Sequence, residues 1–166
     1  MPAWELTLLN TVFWVSLHFG FAGVLTHLPQ AVQRKWFDHR RARFAVGAGE
    51  MRWYRRIGLP KWKDRLPQFN SDFDKRHLRK DLSVEYLEEF VFNTCRAEFI
   101  HADIALLGYL SLLFCLLCDD PAANLPLFAA IATVIGLCNL PFSMIQRYNR
   151  NRLERLLFFY RRTGNQ

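Results

Sequence analysis

The sequence predicts an all-α membrane protein with three transmembrane helices, its N-terminus outside and its C-terminus inside. Three observations lead there. Apolar and charged residues are separated into long blocks, where a soluble domain interleaves them along each element. Three blocks, 4–28, 97–118 and 124–145, are long enough at ~1.5 Å per residue to cross a hydrocarbon core of ~30 Å. All 22 Lys and Arg residues fall in two stretches, Arg34 to Arg96 and Arg147 to Arg162. Short flanks rich in Lys and Arg stay in the cytosol, and with three spans every loop then agrees with its neighbours.

The first block runs from Trp4 to Leu28. A cleaved signal peptide needs a positive region before its apolar stretch, and the charged side chain here is Glu5, so the block is read as a retained helix ending before Pro29. His18 lies mid-span, where an interhelical hydrogen bond is its commonest use. The segment 29–96 is expected in the cytosol and mixes aromatics with charge, as in EMRWYRRIGLPKWKDRLP. Gly47, Gly49, Gly58, Pro60 and Pro67 punctuate it as turns.

Next, DLSVEYLEEFVFNTCRAEFIH reads as a helix capped by Asp81 or Ser83, with Glu85, Glu88 and Glu89 at the positive end of its dipole. Leu82, Tyr86, Leu87, Phe90 and Val91 recur at helical spacing, and the helix is expected to enter the membrane in one piece with the second span. The link Asp119 to Ala123 is short and acidic, so spans two and three form an antiparallel hairpin. The tail 146–166 alternates basic residues with Leu and Phe, as a short interfacial amphipathic helix does. All of 1–166 is taken as a single membrane domain.

Composition removes several classes. The hydrophobic share is 51% and the net charge +7. The basic residues border apolar blocks, beside anionic lipid headgroups, and no nucleic-acid module surrounds them, so nucleic acid is not expected as a partner. Four cysteines in or beside apolar runs read as small reduced hydrophobes. A Gly-rich phosphate loop, paired-Cys metal spacing and HExxH are missing from the sequence.

The residues that carry chemistry gather in three places. Glu98 and His101 are three apart, on one helix face at a membrane entrance, where ionisable groups are costly unless paired or employed. A carboxylate on one imidazole nitrogen fixes the tautomer and raises the basicity of the other, as a general base requires. A self-satisfied anchoring pair is the alternative. Arg96 beside them reads as a cation reaching for headgroups, and Asp103 has no assigned role. The exit of the third span carries Asn139, Pro141, Gln146, Arg147, Tyr148, Asn149, Arg150 and Arg152, whose amides and guanidiniums make a dense set of donors for phosphate, sugar hydroxyls or an oxyanion. A stop-transfer flank needs the arginines but not the amides. Lys61, Trp62 and Lys63 suit either a nucleotide-bearing cofactor or anionic lipid. Glu98 and His101 supply two metal ligands but the sequence shows no third, so no metal is expected. Cys95 as an acyl-carrying nucleophile is the weaker alternative.

The order KWKD…RHL, then CRAEFIH at a span entrance, then NLPF…QRYNRNRLERLL resembles the glycosyl-4,4'-diaponeurosporenoate acyltransferases, small membrane enzymes of a carotenoid pathway. The resemblance runs from about Gly49 to the tail, and Gln146–Leu153 is its most specific part. It departs at Ala102, where an aromatic is common, and at Asn151, where Pro is favoured. It implies transfer of a fatty acyl group to a sugar hydroxyl on a membrane lipid, in the bacterial cytoplasmic membrane. Residue by residue it points to Lys61, Trp62 and Lys63, to Arg96, Glu98 and His101, and to the set from Asn139 to Arg152.

The expected mechanism makes His101, oriented by Glu98, the base for an acceptor hydroxyl. Arg96 with Asn149 or Arg150 faces the developing negative charge, and the Trp/Lys segment holds the donor. Acyl-CoA or an acyl carrier protein is the expected co-substrate, with no bound cofactor. Membrane lipids are the expected partners, and a thin three-helix bundle leaves room for a homo-oligomer. Two rival readings stand beside it: a non-catalytic membrane subunit that binds a partner or anionic lipid, and a metal- or cofactor-binding protein using His18, His101 and Glu98.

Overall fold

The computed structural model describes residues 1–67, 78 and 82–163. Asp81 and the histidine of the RHL motif, His77, lie outside the described residues. The described residues are helical with no strand, and three helical stretches, Ala3–His27, Val84–Leu117 and Pro121–Arg162, are long and apolar enough to cross a membrane. The α-helices are α1 (Ala3–Val15), α2 (Phe21–His27), α3 (Gln30–Trp36), α4 (Ala48–Arg56), α5 (Leu59–Trp62), α6 (Val84–Leu107) and α7 (Pro121–Thr163). A π turn, Ser16–Gly20, joins α1 to α2, and a 3₁₀ stretch, Gly108–Leu117, extends α6. Contacts divide the chain into two compact units, Met1–Gln33 with Ile100–Leu140, and Arg34–Phe99 with Pro141–Gln166.

The first unit is the apolar one. Its outward side chains are large hydrophobics, with Phe19 75% and Leu116 72% exposed, a surface suited to lipid and not to water. In the 3₁₀ stretch three residues make a turn. Leu110, Leu113 and Leu116 therefore form one exposed stripe, while Gly108 and Ser111 are buried. Gly108 is required there: a Cβ would meet the Trp14 ring at 2.4 Å, and Trp14 is itself buried. Phe13 meets Phe114 edge-on at 5.5 Å.

The second and third spans pack through small residues. A Cβ on Gly136 would lie 3.4 Å from Ala105 O, Ala132 is fully buried, and Tyr109 bonds Thr133 at 3.0 Å. Small residues four apart let helix backbones approach closely where lipid offers no hydrophobic drive between them. Asp120 caps α7 through the Ala123 N–H at 3.0 Å, with Pro121 at the first helical position. The Met1 amine lies 3.2 Å from Leu117 O, so the start of α1 and the acidic link share one end of this unit.

The second unit holds the polar segment. α4 ends at Gly58, whose φ of +68° is the left-handed conformation that glycine adopts at least cost, and Pro60 then starts α5. Met51, Tyr54 and Leu59 form a buried cluster against which Trp62, Met144 and Tyr148 pack. Ser83 caps α6, accepting the Tyr86 N–H at 3.1 Å.

The tail departs from expectation. It continues the third span as one 43-residue helix, and its Leu153 and Leu157 pack on Leu87, Phe90 and Val91 of α6. The apolar stripe of α6 needed a cover, and Leu153 and Leu157 of the tail supply it, while Phe158 and Phe159 stay exposed.

Candidate active site

In the apolar unit, three polar side chains meet. His101 comes from α6, Asn139 from α7 and His18 from the π turn of the first span. Asn139 is buried, 5% exposed. His101 Nδ1 lies 3.1 Å from Asn139 Oδ1, and Asn139 Nδ2 lies 3.4 Å from His18 Nε2 and 3.0 Å from Ile135 O. Ile135 O is a carbonyl and only accepts, which fixes which end of the amide is nitrogen. Asn139 Oδ1 therefore accepts from His101 Nδ1–H, and the neutral imidazole keeps its lone pair on Nε2. Asn139 here does for His101 what the sequence reading assigned to Glu98.

Glu98 has another employment, in the polar unit. Its side chain is 6% exposed, and its two oxygens accept from Arg147 at 2.6 Å and from Arg150 at 2.5 Å. Arg147 also bonds both oxygens of Glu50, together with Arg43 O at 3.1 Å and Ala45 O at 2.7 Å, so all five of its N–H donors are engaged. Arg150 is fully buried. It bonds Phe44 O twice, at 2.8 and 3.2 Å, and Cys95 Sγ at 3.6 Å, and lies 5.2 Å from the centre of the Phe44 ring. Two arginines of α7 thereby tie the loop around Phe44 to α6, with carboxylates balancing the buried charge. Guanidiniums so fully bonded are poorly placed to turn toward a substrate.

Tyr54 donates to Glu50 across one turn of α4. Burial pushes the Glu50 carboxyl up, but hydrogen bonds from Arg147 and Tyr54 and the Arg147 charge outweigh it and hold the group below its ordinary range. Glu50 was not singled out in the sequence, although a signal existed. It is the lone acid between Asp38 and Asp64, among eight basic residues.

The other expected residues scatter through the polar unit. Arg96 is half-buried, bonds Asn93 Oδ1 at 2.6 Å and lies 5.5 Å from the Phe92 ring centre. Lys61 is exposed, Trp62 donates to Ile57 O at 3.2 Å, and Lys63 is buried and paired with Asp64 at 2.7 Å. Trp62 and Lys63 are thus built into the fold. Gln146 is half-buried, Asn149 is buried, Tyr148 packs on the Met51 cluster, and exposed Arg152 lies 5.8 Å from the Tyr148 ring. Cys95 is fully buried, which removes it from attack on a donor. Among the described residues, no three His, Cys, Asp or Glu side chains are gathered as metal ligands would be. An open cleft of about 170 Å³ lies between Arg34, His39, Arg40 and Arg161, over Phe37 and Phe92.

Comparison with known proteins adds the chemistry. The chain is 25% identical over 158 residues to glycosyl-4,4'-diaponeurosporenoate acyltransferases of Staphylococcus aureus strains N315 and USA300, covering 93% of this chain and 89% of each relative. The protein of strain MRSA252 matches at 25% over 161 residues. No solved structure matches. The family model for glycosyl-4,4'-diaponeurosporenoate acyltransferase covers residues 33–158, from the start of the polar segment through the buried arginines to the tail. The chain belongs to the glycosyl-4,4'-diaponeurosporenoate acyltransferase family, and is an acyltransferase with three helices fit to span a membrane.

Proposed function

We propose that this acyltransferase moves a fatty acyl group from a thioester donor, acyl-CoA or an acyl carrier protein, to a hydroxyl of a lipid-linked sugar or similar membrane acceptor. It works at the cytosolic leaflet of the bacterial cytoplasmic membrane, N-terminus outside and C-terminus inside. The family name supports a glycosylated acceptor. The distribution of Lys and Arg supports the orientation. The observation that carries the mechanism is the pairing of His101 Nδ1 with the buried Asn139.

In the reaction, His101 Nε2 takes the proton of the acceptor hydroxyl as its oxygen attacks the thioester carbonyl. The C–O bond forms, the C–S bond breaks, and the leaving thiolate recovers the proton from the imidazolium. Asn139 Oδ1 stays on Nδ1–H throughout, holding the ring in the productive tautomer and supporting its positive charge in the transition state. Glu98, Arg147 and Arg150 shape the polar unit and take no part in the proton transfer.

The test is reconstitution with a fatty acyl thioester and a glycolipid, comparing wild type with His101→Ala. A general base contributes roughly 10²–10⁴-fold, so transfer is expected to fall by at least about a hundredfold. Measurable transfer at an unchanged rate in the variant removes His101 from the chemistry; no transfer by either protein, with capture of a larger enzyme, favours the non-catalytic reading.

A further inference from the structure

His18 stands on a π turn, where the Phe21 N–H bonds Ser16 O, five residues back, in place of the ordinary four. Such turns hold an extra residue in the helix and frequently accompany functional sites. The two nitrogens of His18 act in opposite senses. Nδ1 lies 2.9 Å from Trp14 O, a carbonyl, so Nδ1 carries the hydrogen. Nε2 is then an acceptor, and Asn139 Nδ2 faces it at 3.4 Å.

The hydrogen-bond directions from His18 through Asn139 to His101 follow from two backbone carbonyls and the His18 lone pair. Trp14 O sets the His18 tautomer, and Ile135 O with His18 Nε2 together fix the nitrogen of the Asn139 amide. Asn139 Oδ1 is left to accept from His101 Nδ1. An amide turned over would set Oδ1 against the His18 lone pair and the Ile135 carbonyl, two acceptors, and would offer His101 a donor in place of an acceptor.

We propose that His18 is a positioning residue for acyl transfer: acting through Asn139, it holds His101 in the Nδ1–H tautomer with its lone pair on Nε2. The proposal rests on the reading of His101 as the base. It extends that reading to the first span, which would otherwise serve as an anchor.

Two measurements test it. Ring ¹⁵N shifts of histidine-labelled protein in lipid, assigned with His101→Ala, read the tautomer of His101 without any substrate. The wild type is expected to show Nδ1–H at His101, and His18→Met to convert a fraction to Nε2–H. A wild type with Nε2–H at His101, or a His18→Met protein with an unaltered His101 signal, overturns the proposal.

The second measurement is transfer in a mutant cycle. His18→Met is expected to lower the rate roughly three- to tenfold, the worth of one hydrogen bond. His18→Gln, which restores an acceptor for Asn139, is expected to recover it. In an Asn139→Ala background, His18→Met is expected to add nothing, because its effect passes through the amide. Additive losses, or full activity of His18→Met beside an inactive His101→Ala, overturn the role of His18 and leave His101 standing. Indifference to His101→Ala overturns the base itself and with it His18 as a positioning residue for acyl transfer, leaving the tautomer measurement to test the hydrogen-bond chain alone.

Discussion

Replacing Glu98 with Gln separates a structural carboxylate from a chemical one. Glu98 accepts from Arg147 and Arg150, and its side chain is 6% exposed. Gln keeps the volume but can offer its oxygen to one arginine only, turning its NH₂ toward the other. Arg147 retains both oxygens of Glu50, whereas Arg150 retains only the Phe44 carbonyl and the Cys95 sulfur. The loss therefore falls mainly on Arg150, a guanidinium with no exposed surface. Breaking such a buried pair costs about 3–5 kcal/mol. At about 2–4 °C per kcal/mol for a chain of this length, the unfolding temperature should drop by roughly 6–20 °C. Tryptophan fluorescence during heating in detergent measures it. Adding Arg150→Met to Glu98→Gln should restore part of the loss, since the uncompensated charge is removed with its partner. A Glu98→Gln protein that melts with the wild type yet fails to transfer acyl groups would refute this reasoning and return Glu98 to the chemistry.

Gly108→Ala drives a methyl into Trp14 and should cost about 1–3 kcal/mol, with Trp14→Leu relieving it, as seen by melting of the single and double variants. The Glu50 carboxyl is held below its ordinary range, so its contribution to stability is present above its unfolded pKa of about 4.3 and is lost as pH falls through the lower folded value. Glu50→Gln should accordingly be less stable than wild type at pH 7, with the gap closing in acid; a gap constant with pH would show that the charge is not what matters. Gly58→Ala, forced to φ +68°, should lose about 1 kcal/mol, and Gly58→Asn less. For orientation, cysteines placed at Ala122 and at Arg56 in a cysteine-less background should label from outside intact cells and only after lysis, respectively; the reverse pattern would invert the topology.

The membrane-spanning frame was legible because block length and charge placement are one-dimensional signals. The continuity of α6 into its span was equally legible, from a cap at Ser83 and an unbroken periodicity. The destination of the tail was not. A stripe such as Leu153 and Leu157 looks the same whether lipid or the Leu87 cluster covers it. At the site, residue type and spacing singled out His101, Asn139 and Glu98, but they could not say which pairs with which. His101 meets Asn139 across 38 residues, and Arg147 meets Glu50 across 97, distances over which local spacing carries no information. The π turn around His18 is hidden for a related reason. Nothing in SLHFG distinguishes it from an ordinary turn, and the Asn139 that its ring meets lies 121 residues away.

The second span gains length from its 3₁₀ end. Ten residues at the 3₁₀ rise of ~2.0 Å cover ~20 Å, where an α-helix covers ~15 Å. The ~5 Å between the two is about the gap separating thin from thick cellular membranes, ~27 against ~33 Å. Rewinding Gly108–Leu117 would shorten that end of the helix and pull Gly108 out of register with the Trp14 ring. A bilayer that favoured the shorter helix would thereby act on the packing of Gly108 against Trp14.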